Sequence, residues 1–368
     1  MNIAGPSPNT PVLQEIRRRA SLEPVGLSFE QFMEIALYHP ISGYYTQPRP
    51  IGKRGDFFTS VSVGPCFGEL LTRQIRQIHE LWNTPAPFCV IEQGAHSGEL
   101  ASDILRTWPD LPYRLVEPLP SLSTAQRETL HSLNANIRHV SSLRDLREEN
   151  AVFVCNELLD AFPVRRLHFT GHCWEEWRVV AEQDSLQLRS FPLQDTGFEL
   201  PGWIPASAPE GFTVEVCPTL RSWLADLTTA TNRVIALIID YGLTREERFS
   251  PERREGTLRA YQKHRLIPNP LESPGERDLT SHVDFTTLIE EARRLGWDVL
   301  GFTDQARFLT GVAAPWLHSL EGQADHPSLN QFKTLTHPSM MGRSFKVLAL
   351  SRNTPLLKLD GFQFGTQL

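Results

Sequence analysis

The chain has 368 residues, of which 40% are hydrophobic and 21% are charged, a balance typical of a globular protein with a sizeable core. Its 36 basic and 43 acidic residues give a net charge of −7, so it lacks the positive surface of a general nucleic-acid binder. Five scattered cysteines without a CxxC pair argue against a disulfide framework or a structural zinc site. With no secretory signal pattern and no apolar run of about 18 residues, the sequence predicts a cytoplasmic protein without a membrane partner.

The chain begins with two predicted amphipathic helices. The second starts at Ser28, where Ser28 and Gln31 have the S-x-x-Q form of a capping box. A glycine-rich loop follows, and then a helix over 67–82. From residue 88 onward, short apolar runs alternate with helical periodicity, which predicts a doubly wound, mostly parallel sheet. The strands of this sheet are predicted at 88–92, 113–117, 137–140, 151–156 and 234–240.

Two segments interrupt this alternation. Residues 164–216 alternate polar and apolar side chains, as expected for antiparallel strands inserted into the main domain. Residues from 243 to about 284 are polar and rich in Arg, Pro and Glu, and this length predicts a functional loop or lid. A helix over 285–295 and two strands, over 297–302 and 345–351, are predicted to complete the fold.

The loop after the first strand carries glycines at positions 94 and 98. Such a turn lets the backbone approach a ligand closely, and Glu117 at the end of the next strand could accept ribose hydroxyls. The spacing is not the G-x-G-x-x-G of dinucleotide binding, and Glu92 and Glu99 beside the turn would repel a pyrophosphate. They suit the sulfonium and ammonium groups of S-adenosylmethionine (SAM). A purely structural glycine turn is the alternative.

Two more sets of residues lie where strands end. Asn156, Glu157 and Asp160 follow the fourth strand, at the edge where doubly wound folds bind ligands. Their carboxylates could orient a cationic substrate or accept its proton, whereas a plain helix cap is the alternative. Asp240 and Tyr241 follow the fifth strand and could instead form a simple turn.

The remaining candidates lie in loops. Gly55 and Thr59 belong to the polar loop 55–60, where Thr59 could also be a helix cap. His264, Asp278 and His282 lie in the predicted lid, and no third ligand stands at a recognised spacing, so no metal is predicted. A G-x-S-x-G elbow and a Walker A loop are both missing from the sequence, which removes the support for serine hydrolysis and phosphoryl transfer.

Taken in order, these motifs resemble the MidA-type SAM-dependent methyltransferases, a family that includes the mitochondrial complex I assembly factor that dimethylates an arginine. The resemblance extends from about Phe29 to Leu350. The matching segments are 32–40, 43–45, 55–60, 67–70, 92–94, 98–105, 116–117, 156–164, 240–242, 278–285, 341–342 and 345–348.

The resemblance implies a class I methyltransferase fold, α/β and Rossmann-like, with SAM as cofactor. The implied cofactor-binding residues are Glu92, Gly94, His96, Gly98, Glu117, Gly55, Thr59 and Asn156. Glu157 and Asp160 are expected to be catalytic on the substrate side. The expected substrate or lid residues are Asp240, Tyr241, His264, Asp278 and His282. One departure stands out, because the family loop usually reads Glu-x-Gly-Pro-Gly-x-Gly and this chain has Ala95 and His96 instead.

The expected function is methylation of a protein, with an arginine side chain favoured. The alternatives are methylation of a small molecule and a catalytically weak assembly protein that keeps only the fold. A protein substrate is expected and nucleic acid is not, and a homodimer is left open. The expected domains are an N-terminal helical segment with a cleft loop (1–84), the first part of the SAM-binding domain (85–163), the antiparallel insertion (164–216) and the remainder with the lid (217–368).

Overall fold

The computed structural model of the protein describes residues 10–47, 59–83, 87–182, 185–263, 265–323 and 325–365. The helices are α1 Pro11–Ala20, α2 Phe29–Tyr38, α3 Cys66–Trp82, α4 Glu99–Thr107, α5 Pro120–Leu130, α6 Leu193–Thr196, α7 Leu220–Ala230, α8 Arg245–Arg248, α9 Phe285–Arg294, α10 Gln305–Ser319 and α11 Pro327–Thr336. Among the described helices, none combines the length and the apolar character that crossing a membrane requires.

The strands belong to three sheets. In chain order they are β1 Leu27–Ser28, β2 Cys89–Gln93, β3 Tyr113–Val116, β4 Ile137–Val140, β5 Glu148–Asn156, β6 Arg165–Phe169, β7 Trp174–Glu182, β8 Ser185–Pro192, β9 Thr213–Val216, β10 Thr231–Leu243, β11 Arg259–Gln262, β12 Arg265–Ile267, β13 Asp278–Thr280, β14 Val283–Asp284, β15 Asp298–Asp304 and β16 Phe345–Arg352.

The main sheet runs in the order β15-β16-β10-β5-β2-β3-β4, with β14 paired to β10. The strands from β10 to β4 are parallel to their neighbours, whereas β16 is antiparallel to both β10 and β15. The chain leaves β2 toward β3 and β4 and then crosses back to place β5 on the other side of β2. The carboxyl ends of β2 and β5 therefore form a topological switch point, where open α/β sheets bind ligands.

Helices cover both faces of the main sheet. Alternate residues of β10 point to opposite faces, so that Ile235 and Leu237 contact the core under α3, α4 and α10, whereas Val234 and Ala236 contact the core under α7 and α9. All four side chains are fully buried, which explains why this strand reads as a continuous apolar run. The predicted doubly wound, mostly parallel α/β sheet is confirmed.

The antiparallel insertion is a five-stranded sheet of β1, β6, β7, β8 and β9. β6 to β9 lie in the segment where alternation predicted them. The sequence analysis missed β1, in which Leu27 pairs with Val179 of β7 inside the N-terminal segment that was expected to be helical. Two residues are too few to show the alternation of apolar and polar side chains that identifies a strand in a sequence. The boundaries proposed for the four domains stay predictions.

Two other segments are more ordered than the sequence suggested. The polar lid contains the small sheet β12-β11-β13 as well as α8. Its strands have three or four residues and lack a continuous apolar face, so their pattern is easily taken for a loop. The chain after β15 forms α10 and α11, which were not anticipated. Pro315 inside α10 weakens the helical pattern there.

Candidate functional site

A cavity of about 1200 Å³ lies at the carboxyl ends of β2 and β5. Its walls come from α2, the loop after β2, the turn after β5, α7 and the lid sheet. The volume exceeds what one drug-sized ligand fills, so a nucleoside cofactor and an acceptor side chain fit together. The topological switch point of the main sheet is thus the candidate active site.

The loop after β2 forms the cofactor side of the cavity. Gly94 and Gly98 have φ of 82° and 91°, in the left-handed region that glycine favours, and Gly98 is the N-cap of α4. Their positive φ explains the two glycines of the motif. Glu92 is 2% exposed and accepts a hydrogen bond from the Tyr113 hydroxyl at 2.6 Å. Burial raises the pKa of Glu92 to about 7.

His96 takes the place of the central glycine in the family loop and also has a left-handed backbone, with φ of 46°. The turn is therefore kept, although a residue with a Cβ pays for it with backbone strain. The His96 ring lines the cavity, and its Nδ1 lies 2.9 Å from the Ser97 hydroxyl. Burial lowers the pKa of His96, so a neutral ring is expected at pH 7.

Glu117 lies directly after β3 and lines the cavity. One of its carboxylate oxygens accepts the backbone N–H of Leu119 at 2.9 Å, and the other accepts the side-chain amide of Gln126 at 3.1 Å. Burial raises its pKa to about 7, and the two hydrogen bonds oppose this rise. Lone pairs remain on both oxygens, as a carboxylate that accepts two ribose hydroxyls requires.

The turn after β5 carries the candidate substrate carboxylates. Glu157 has φ of 53°, a left-handed conformation that is rare for glutamate, and its Oε1 accepts the side-chain amide of Asn156 at 3.0 Å. Burial and the charge of Asp240 raise the pKa of Glu157 to about 8. Burial raises the pKa of Asp160 well above its ordinary value, and Asp240 and Glu157 add to this effect.

Asp240 holds this turn in place. Its Oδ2 accepts the backbone N–H groups of Leu158 at 3.1 Å, Leu159 at 2.8 Å and Asp160 at 3.4 Å, while Oδ1 accepts that of Tyr241 at 2.8 Å. The buried carboxylate of Asp240 thus accepts backbone amides and does not line the cavity, and its expected role toward the substrate stays a prediction. Tyr241, one residue later, does line the cavity.

The lid supplies the opposite wall. Asp278 of β13 is fully buried and lines the cavity together with His282. The His282 ring stacks on Tyr241 with 6.4 Å between the ring centroids, and burial lowers its pKa to about 4. Thr59 also lines the cavity, and its hydroxyl accepts the Ser62 backbone N–H at 3.1 Å. The N-cap of the short 3-10 helix Val61–Val63 is Ser60, whose side chain makes no capping hydrogen bond, so the capping alternative for Thr59 stays a prediction.

The expected site residues come together, with few exceptions. Those that line the cavity are Glu92, Gly94, His96, Glu117, Thr59, Asn156, Glu157, Asp160, Tyr241, Asp278 and His282. Gly98 lies just behind it, packed on Gln126 of α5. Gly55 and His264 lie outside the described residues. The role of each residue stays a prediction. Within the described ranges, no group of three His, Cys, Asp or Glu side chains could hold a metal ion.

Sequence analysis missed an acidic face of α2. Glu30, Glu34 and Tyr38 line the cavity, and their spacing of four residues places them on one side of the helix. The same spacing is present in the sequence, where the apolar face of α2 gives the stronger pattern. Gln126 was also missed, because a single glutamine in a polar helix has no pattern that marks it.

Carboxyl groups outnumber basic groups among the charged residues that line the cavity. The acids that line it are Glu30, Glu34, Glu92, Glu99, Glu117, Glu157, Asp160, Asp226 and Asp278. Among the described lining residues, Arg259 is the one arginine or lysine. Such a surface favours cationic ligands over phosphates. The residues present thus fit SAM, whose sulfonium and ammonium are cationic and whose ribose can donate to Glu117.

Comparison with known proteins agrees with this geometry. Residues 70–303 match the sequence profile of a protein family that is described as S-adenosyl-L-methionine-dependent methyltransferases. A protein arginine methyltransferase named NDUFAF7, from Rattus norvegicus, is 28% identical and covers 93% of this chain and 84% of its own length. Its Drosophila melanogaster homologue is also 28% identical, covering 90% and 83%. Both relatives are mitochondrial proteins, and this finding overturns the prediction of a cytoplasmic location.

Solved structures extend the likeness to the whole fold. A crystal structure from Burkholderia thailandensis bound to S-adenosyl-homocysteine matches with a TM-score of 0.86 and 29% identity over 99% of both chains. A native structure of an uncharacterized protein of the same superfamily, also from Burkholderia thailandensis, matches with a TM-score of 0.84 and 28% identity, again over 99% of both chains. The likeness thus includes the insertion and the lid as well as the main sheet.

Proposed function

The chain belongs to the family of S-adenosyl-L-methionine-dependent methyltransferases that matches residues 70–303, and from this premise we propose that its acceptor is an arginine side chain of a protein. It is an enzyme with SAM as its methyl donor. The observation that carries the proposal is the pair of carboxyl groups, Glu157 and Asp160, on the turn after β5 in an acidic cavity. The names of the mitochondrial relatives, which are protein arginine methyltransferases, also support it.

A guanidinium group fits these two carboxylates chemically. It is planar, always charged, and donates through a fixed fork of N–H groups that carboxylates accept in pairs. Glu157 and Asp160 are separated by two residues of the turn and both line the cavity, so together they can hold one guanidinium and fix its orientation. Lysine would offer a single point charge and would make less use of the pair.

The pKa of Glu157 suits proton transfer. With a pKa raised to about 8, this carboxyl holds its proton at pH 7 until a cation arrives beside it. A bound guanidinium favours the ionised form, which then accepts hydrogen bonds and localises a lone pair on one nitrogen. Bound SAM supplies the electrophilic methyl group. As the nitrogen gains the methyl, Glu157 is placed to take the proton that this nitrogen must lose.

The turn after β5 is buried and held firmly, which supports alignment of the reacting groups as the main cause of the rate enhancement. Asp240 fixes the backbone that carries both carboxyl groups, and methyl transfer depends on bringing nucleophile and methyl carbon into line. A rigid turn is therefore of more use than a mobile loop.

Radiolabelled methyl transfer from SAM into a lysate of the source organism tests the proposal. We expect label in protein, and methylarginine after hydrolysis of the labelled band. Label confined to small molecules, or found on another amino acid, would refute the arginine assignment while leaving the methyltransferase itself intact. Label in no acceptor would favour the assembly protein that keeps only the fold.

A further inference from the structure

Gln126 of α5 connects two parts of the cofactor site that are far apart in sequence. Its side-chain Nε2 donates to the carbonyl oxygen of His96 at 2.9 Å and to Oε2 of Glu117 at 3.1 Å. The side chain is fully buried, so the hydrogen bond to Glu117 is shielded from water, whereas the bond to the His96 carbonyl is partly buried. One amide group thus contacts the loop after β2 and the acid after β3.

From this geometry we propose that Gln126 is a positioning residue for cofactor binding, which orients Glu117 toward the ribose and fixes the left-handed turn at His96. Both of its acceptors need a donor. The His96 carbonyl lies in a loop whose central glycine has been replaced, and Glu117 is a buried carboxylate that must stay ionised to accept hydroxyl groups. Gln126 acts through these groups and does not itself line the cavity.

The packing around Gln126 limits what can replace it. A Cβ on Gly98 would lie 3.4 Å from the Gln126 Cα and 3.6 Å from its Cβ, so α5 sits directly against the N-cap of α4. Its Oε1 has no hydrogen-bond partner within the described part of the chain. The amide is therefore oriented by its two N–H donors alone, and a side chain of equal size without them would keep the packing and lose the function.

Calorimetric titration of the purified full chain with SAM tests this inference without any acceptor. In Gln126→Leu, loss of a hydrogen bond to a buried carboxylate should raise the Kd for SAM about tenfold. Glu128→Gln on the exposed side of α5 is the matched control and should leave the Kd unchanged. A Kd for Gln126→Leu within twofold of the wild type would overturn the proposal.

A double-mutant cycle separates positioning from packing. If Gln126 acts through Glu117, then Gln126→Leu should change the Kd by less than about twofold once Glu117→Gln is present, because coupled residues are not additive. An equal loss in both backgrounds would show that Gln126 does not act through Glu117, and would overturn the proposal.

Gln126→Glu keeps the volume and so remains informative if Gln126→Leu fails to fold. The introduced carboxyl group can donate a hydrogen bond to Glu117 or to the His96 carbonyl only when it is protonated. When it is ionised, it offers acceptors alone. Its Kd for SAM should therefore be high at pH 8 and fall at least about fivefold toward pH 6, where the two carboxyls share a proton. A penalty independent of pH would overturn the proposal. These titrations concern SAM alone, so their outcome is independent of whether arginine is the acceptor.

Discussion

Glu157 adopts a backbone conformation that few glutamates adopt, with φ of 53°. Non-glycine residues in this region cost about 1–3 kcal/mol, and the surrounding structure has to compensate for that cost. The compensation is visible, because the Glu157 backbone N–H donates to Ile239 at 3.0 Å and the next three N–H groups donate to Asp240. Strain that is retained in this way at a cavity wall indicates that the direction of the Glu157 side chain matters.

Glu157→Gln tests that importance. Glutamine has the same shape and can still accept the Asn156 amide, but it cannot carry the negative charge that a guanidinium needs. We expect methyl transfer to fall by roughly 100-fold or more, while the affinity for SAM in calorimetry stays within about threefold because the cofactor loop is untouched. Glu80→Gln on the exposed side of α3 is the control. Unchanged turnover would remove Glu157 from the catalytic residues.

His96 allows a second test at the scale of one residue. Glycine adopts the left-handed turn without strain, whereas a β-branched residue is strongly disfavoured there. His96→Gly should therefore keep the free energy of unfolding within about 1 kcal/mol of the wild type, and His96→Val should lower it by about 1–3 kcal/mol. Urea unfolding of the two variants checks this. Both variants lose the imidazole, so equal stabilities would mean that backbone strain is unimportant at this position.

The lid is attached to the insertion by a buried ion pair. Glu215 of β9 is 3% exposed and accepts the Thr257 backbone N–H at 2.9 Å and the Arg248 guanidinium at 3.4 Å. Arg248 also donates to the carbonyl oxygen of His282 at 2.7 Å, and His282 lines the cavity. The Glu215 carboxylate therefore connects β9 to two parts of the lid, Arg248 and Thr257.

Glu215→Gln should loosen the lid. Removing one partner of a buried pair leaves the other charge uncompensated, so we expect the free energy of unfolding to fall by about 3 kcal/mol. Hydrogen exchange should also become faster in 257–282 but not in β2 or β5. Glu272→Gln, which breaks the more exposed pair with Arg277 in the same lid, is the control and should cost less than about 1 kcal/mol. Equal effects of the two variants would contradict the anchoring role.

At the scale of helices and strands, the sequence was informative where apolar residues recur at a regular spacing or where a capping residue marks the start of a helix. The capping box of Ser28 and Gln31 occurs as expected. Elements without either signal were missed, namely the two residues of β1 and the short strands of the lid. In the cavity, strand ends predicted where Asn156 and Glu157 would lie. Asp240, in contrast, accepts backbone N–H groups of a turn that lies 80 to 82 residues earlier in the chain. No local sequence pattern contains such a long-range contact.

The protein as a whole buries several carboxyl groups whose ionisation opposes folding. Burial raises the pKa of several carboxyls to values near neutrality; they are Glu92, Glu117 and Asp240, each to about 7, and Glu157, to about 8. In the unfolded chain these groups lose their protons near pH 4. Above that value the folded state binds more protons than the unfolded state, so the free energy of unfolding falls as the pH rises.

Urea unfolding at pH 6.5 and pH 8 checks the direction of this effect. The lowered pKa of His282 acts in the opposite sense, but only below its ordinary value of 6.5, so the carboxyls dominate this window. We expect the ligand-free protein to lose at least about 1 kcal/mol between the two pH values. A stability that is constant or rises with pH would mean that these carboxyls are already ionised at pH 6.5.

The position of β16 has a consequence for how the protein is made. This strand follows both β10 and β15 in the chain but lies between them in the sheet, and it pairs with β10 over eight residues from Phe345 to Arg352. Until the ribosome has synthesised it, the apolar strand β10 has one open edge, and open edges of this kind pair with other chains. The main sheet can therefore be completed only after β16 has been synthesised. A nascent chain stalled before residue 345 should be bound by chaperones or recovered as aggregate.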